Sequence, residues 1–106
     1  MIRTVIYLNP KNGNSQDLID YFLSEKVLEH SAEIEGFISS ELFLPKDGGP
    51  MMVTATWESP EAYQRWLDHP WRAASNVRIQ EVLEDRIEVS TSGDVYELVH
   101  GVHTKN

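Results

Sequence analysis

Apolar positions change period along this chain, and the changes mark its elements. From Ile2 to Asn9 β-branched and aromatic residues crowd together before the turn cluster Asn-Pro-Lys-Asn-Gly-Asn, which predicts a first strand. Asn14 or Ser15 then caps a helix running to about Glu33. Leu18, Ile19, Phe22, Leu23 and Val27 form its apolar stripe, and Asp17, Asp20, Glu25 and Lys26 its wet side. The run GFISSELFL, from Gly36, predicts a second strand. It ends at Pro45, Gly48, Gly49 and Pro50, a hairpin-type connection into a third strand, MMVTATWE.

Ser59 is a natural N-cap, Pro60 at the first helical position loses no hydrogen bond, and Glu61 suits the positive helix end. The second helix carries Ala62, Tyr63, Trp66 and Leu67 on one side. Pro70 interrupts it, and WRAASNVRIQEVLED continues as a further helical segment. RIEVSTSGDVYELVHGV then predicts a strand, a turn at Ser92-Gly93-Asp94 and a second strand piece.

The order β-α-β-β-α-β predicts a single α+β domain over residues 1–106, ferredoxin-like, with helices on one face of an antiparallel sheet. The other face of such a sheet normally alternates toward polar residues. Here Thr4 to Leu8 carries no charge on either face, and Met52, Thr54 and Thr56 alternate with Met51, Val53, Ala55 and Trp57. Both faces read as dry, so the expected cover for the open one is a second copy, as a homodimer. The tail from about residue 86 to 106 is a candidate for contact with that partner.

Composition removes several function classes. A formal charge of −8 and a pI near 4.8 leave no basic footprint for nucleic acid or for an anionic membrane surface. No segment approaches the roughly 20 apolar residues that span a bilayer, and the N-terminus reads as a strand rather than a leader. The absence of cysteine excludes disulfides, thiolate metal sites and cysteine nucleophiles, and fits the cytoplasm. No serine-histidine-aspartate set, phosphate-binding glycine loop or dinucleotide fingerprint is present.

What remains is aromatic. All three tryptophans, Trp57, Trp66 and Trp71, fall between Thr54 and Trp71. Trp57 is expected to pack the sheet, Trp66 to line a cleft between sheet and helices, and Trp71 to close that cleft or the dimer edge. His30, His69, His100 and His103 lack converging metal-ligand spacing, so no metal is expected. His69 is the candidate general base, since its ordinary pKa suits proton abstraction near neutrality. Arg72 and Arg78 fit a solvated helix face paired with Glu61, Glu81 or Glu84, or else hold a phenolate or enolate.

Val53 to Pro70, VTATWESPEAYQRWLDHP, resembles the antibiotic biosynthesis monooxygenase superfamily of dimeric α+β barrels. The shared pattern is a strand ending in Trp-Glu-Ser, then a turn into a helix bearing an aromatic and Trp-Leu; the glycine-led strand EIEGFISSELF adds to it. The resemblance covers about residues 1–90 and implies oxidation of a small aromatic phenol or quinol by molecular oxygen, without cofactor. In that branch a tryptophan, a tyrosine, an asparagine and an arginine surround the pocket; Trp66 matches, and Tyr63, Asn76 and Arg72 or Arg78 supply the other types. The heme-degrading branch instead needs a strand-one asparagine, which falls on Ile6, and an iron-ligating histidine, which falls near Ser75 or Asn76. Two of its three residues are missing, and heme is disfavoured. Alternatives are a non-enzymatic barrel that binds a small molecule, and heme held by His30 or His69.

Overall fold

The computed structural model describes residues 1–85 and 92–104. A four-stranded antiparallel sheet has the order β2-β3-β1-β4, built from β1 (Ile2–Leu8), β2 (Phe37–Phe43), β3 (Met51–Trp57) and β4 (Asp94–Glu97). Helices α1 (Ser15–Ser24), α2 (Val27–Ser31), α3 (Pro60–Leu67) and α4 (Pro70–Ile79) lie against one face, the last extended by a 3-10 turn at Gln80–Val82. This is the ferredoxin-like α+β arrangement. No helix among the described residues is long and apolar enough to cross a membrane.

Register decides what each face carries. Ile2 pairs with Trp57, Thr4 with Ala55, Ile6 with Val53 and Leu8 with Met51, so these residues share the helix-covered face. The opposite face carries Val5, Tyr7, Met52, Thr54 and Thr56, with Phe43, Met52 and Tyr7 aligned in one cross-strand row. That face is less uniformly dry than its sequence suggests. Arg3 stands on it, donating to the Thr56 hydroxyl at 3.3 Å, and Glu41 pairs beside Thr54.

The long first helix breaks in two. Lys26 adopts the left-handed conformation, φ 54° and ψ 47°. An unbroken helix would carry the Leu18–Phe22 stripe on to Glu25 and Glu29. The break resets the register, so Val27 and Leu28 pack against the core instead. Leu23, expected on the stripe, is 67% exposed; Tyr21 takes its place against the core. The second helix keeps its predicted start. Ser59 accepts the Ala62 N–H at 3.2 Å, with Pro60 at the first position.

At the C-terminal end, the predicted strand piece before the turn falls on residues 86–91, outside the described residues. The second piece forms β4, which starts at Asp94 and pairs with β1 from Val5 to Ile2.

Candidate functional site

Between the sheet and the helices lies a cavity of about 90 Å³. A water molecule needs roughly 10–15 Å³ on this scale, so the space suits a small organic ligand. Its walls come from every layer: Thr4 and Ile6 of β1, Trp57 at the end of β3, Tyr63 and Trp66 of α3, and Trp71 and Arg72 of α4.

Local sequence places the aromatic wall. Trp57 is 1% exposed; its ring meets Phe37 edge-on at 5.5 Å, and its indole N–H donates to the Thr4 hydroxyl at 3.3 Å. Trp57 is thus a packed floor with its polar handle satisfied. The turn before Pro70 swings α4 back so that Trp71 stacks on Trp66, with centroids 6.0 Å apart. His30 of α2 stacks on Trp71 at 3.9 Å. Trp71 lines the cleft together with Trp66.

The electrostatics centre on Arg72. It stands in the first turn of α4, is 6% exposed and lines the cavity beside Tyr63 and Asn76. Burial pulls its guanidinium pKa below the ordinary value for arginine, and the neighbouring Tyr63 acts in the opposite direction. An arginine so placed still carries its charge near neutrality. Among the described residues, no aspartate or glutamate lines the cavity. Arg78 is solvated and carboxylate-paired, bonding Glu25 at 2.8 Å on the surface rather than the expected Glu61, Glu81 or Glu84.

Six of the seven predicted site residues, Trp57, Tyr63, Trp66, Trp71, Arg72 and Asn76, therefore come together. His69 does not. It is the N-cap of α4, and its Nδ1 accepts the Trp71 N–H at 3.1 Å. That bond puts the neutral ring's proton on Nε2 and occupies the nitrogen a general base would use.

Several lining residues escaped prediction. Ser31 donates to the Leu28 carbonyl at 2.6 Å and to Ser40 at 3.4 Å, and both serines face the cavity. Ser75 also lines it, tied to Tyr21, whose hydroxyl donates to the Ser75 carbonyl at 2.9 Å and shares a short bond with its Oγ. Burial raises the Tyr21 phenol above its ordinary 10.0. Thr4 was the legible one: a hydroxyl at an inward position between Ile2 and Ile6 at strand period.

The residues do not fit a histidine-ligated heme. Ile6, Ser75 and Asn76 do line the cavity, at the places the heme-degrading pattern would fill, but among the described residues no histidine joins them. Tyr63, the remaining oxygen ligand type, has its hydroxyl engaged by the Gly93 amide at 2.8 Å. Among the described residues no group of three or more histidine, cysteine, aspartate or glutamate side chains could hold a metal ion.

Solved structures share this architecture. Rv0793 from Mycobacterium tuberculosis matches with a TM-score of 0.74 at 14% identity, over 96% of this chain and 98% of its own. SnoaB, a cofactor-independent oxygenase from Streptomyces nogalater, matches at 0.72 and 16%, over 95% of each chain. MhuD, a heme degrader from Mycobacterium tuberculosis holding two hemes in its active site, matches at 0.68 and 23%, over 97% of this chain and all of its own. At such identities the likeness is one of fold. No curated protein matches the sequence significantly. The antibiotic biosynthesis monooxygenase family, however, matches residues 1–75, from β1 through the tryptophan-bearing helices to Ser75, and the chain belongs to that family.

Proposed function

We propose that the protein is a cofactor-independent monooxygenase that oxidises a small aromatic phenol or quinol with molecular oxygen. Family membership supports monooxygenase-type chemistry. The observation that carries the finer reading is a buried arginine, Arg72, in the wall of a cavity also lined by Trp57, Trp66 and Trp71. A guanidinium there stabilises a phenolate against its neutral acid and so favours release of the substrate proton to solvent. The electron-rich anion passes one electron to oxygen. The resulting radical and superoxide combine through a new carbon–oxygen bond, and the peroxide anion so formed takes up a proton from solvent. The hydroperoxide then loses water across its O–O bond and the ring C–H, leaving one oxygen atom in the product. Trp66 and Trp71 exclude bulk water from the radical pair.

The chain acts, in this reading, as a cytoplasmic homodimer. The row Phe43, Met52, Tyr7 offers an apolar strip on the sheet face that the helices leave open, and Tyr7 and Phe43 are about half exposed. A second reading has its own support. With His69 committed to capping α4, no histidine among the described residues lines the cavity as a base, which favours a protein that binds an aromatic anion without turning it over.

Oxygen uptake by the metal-free protein against a panel of quinols and polycyclic phenols separates the two. Uptake well above autoxidation, reduced about tenfold in a folded Trp66→Phe variant, is the expected result, since a misplaced substrate forfeits much of the effective concentration at the reacting centre. Binding without uptake selects the second reading. Uptake unchanged by Trp66→Phe removes Trp66 from the site.

A further inference from the structure

Gly93, immediately before β4, joins the C-terminal segment to the cavity. Its N–H donates to the Tyr63 hydroxyl oxygen at 2.8 Å. Its place is too tight for any side chain: a Cβ there would lie 2.6 Å from both the Val5 carbonyl oxygen and the Ile6 side chain. Glycine is needed for that close approach of backbone to β1, and the turn alone does not explain it. Once the Tyr63 oxygen accepts a backbone N–H, its own hydrogen must point elsewhere. Donation into that oxygen also polarises the outgoing O–H. Tyr63 is 5% exposed, lines the cavity and stands beside Arg72.

We propose that Gly93 is a positioning residue, whose amide fixes the Tyr63 hydroxyl so that its hydrogen is presented to the same ligand oxygen that Arg72 attracts. The pair then grips one anionic oxygen at two points, and β4, zipped onto β1 next to Gly93, holds the grip in place. The inference rests on the reading of the cavity as a site for an aromatic oxyanion.

The test titrates the full chain with 4-nitrophenolate, at a pH where the free probe is ionised. Tyr63→Phe is expected to weaken binding about tenfold, the worth of one good hydrogen bond. Gly93→Ala should weaken it by a similar factor. The double variant should bind no worse than Tyr63→Phe alone, because Gly93 acts through the Tyr63 oxygen. Losses that multiply in the double variant overturn the proposal, as does a wild-type chain that fails to bind the probe. If Gly93→Ala does not fold, hydrogen exchange at the Gly93 amide decides. Exchange at least tenfold faster in Tyr63→Phe supports the contact, and unchanged protection overturns it. Oxygen uptake without coupling would sink the two-point grip and leave the monooxygenase standing. Coupled binding without uptake would do the reverse.

Discussion

Two clusters share the helix-covered face of one sheet and are built from different stock. At one end Ile2, Ala55, Trp57, Ala62, Tyr63 and Trp66 pack together. At the other lie Leu8, Leu18, Phe22, Met51, Ile79 and Leu83. The same two central strands feed both, β1 supplying Ile2 to one and Leu8 to the other, β3 supplying Trp57 and Met51. The second cluster is mainly aliphatic, and through Leu8, Phe22 and Ile79 it also supplies an apolar wall of the cavity. In the first, aromatic rings alternate with alanines, and the rings bring polar handles, such as the Trp57 indole N–H and the Tyr63 hydroxyl, to the edge of the cavity. The polar handles are thus separated from the aliphatic packing along the strands, and a substitution away from the cavity wall should register mainly at its own end.

The harshest way to break that separation is Leu18→Ala. Leu18 is fully buried, so its loss should cost about 3 kcal/mol of stability in urea unfolding, as large-to-small core changes do. Affinity for an aromatic anion should stay within about twofold in the fraction that remains folded, since additivity holds for distant sites. If binding collapses with stability, the two ends are one unit. Arg72→Met is the counterpart at the aromatic end. It should weaken binding of a phenolate roughly 10- to 100-fold, the range for hydrogen bonds to a charged group, and leave a neutral aromatic of the same shape nearly unaffected. Equal losses for charged and neutral ligands would mean that Arg72 only shapes the wall.

The smallest effect sharpens the boundary. Tyr21 leans on the aliphatic cluster yet holds Ser75, which lines the cavity. Tyr21→Phe should cost about 1 kcal/mol, one hydrogen bond. Burial raises the Tyr21 pKa, so the folded chain keeps the phenol proton while the unfolded chain releases it near 10.0. The stability this contributes is complete below that pH and is lost as pH climbs through the raised folded value. Urea midpoints between about pH 8 and 11 should therefore fall more steeply in the wild type than in Tyr21→Phe. Parallel curves would assign the alkaline loss to other groups.

Features set by neighbours in sequence were legible in the residues. Ser59-Pro60 starts α3 because capping acts over three residues, and the strand periods of β1 and β3 placed Ile2, Ala55 and Trp57 inward. The break at Lys26 carries no glycine or proline to announce it; it follows from which residues the rest of the core accepts. His69 was read as a base from its type, but the position of the Trp71 N–H makes it a cap. Arg72 and Arg78 look alike along the chain, six residues apart, and only the return of α4 over the sheet buries one and leaves the other outside. Ser31, Ser40 and Ser75 reach the cavity from three different elements, a convergence that no local pattern encodes.

The setting of the Arg72 guanidinium has a kinetic side. It is a buried cationic group inside a chain of formal charge −8, so its own charge is opposite in sign to the protein's net charge. A ligand that arrives ionised must diffuse against the outer repulsion, whereas a neutral phenol feels none and gives up its proton only once inside. On the proposed reading, the protein sorts ligands by protonation state at the door, admitting acids and retaining their conjugate bases. Salt at 0.1 M, which confines exposed charges to about 10 Å, should quicken entry of the ionised form and leave the neutral one untouched.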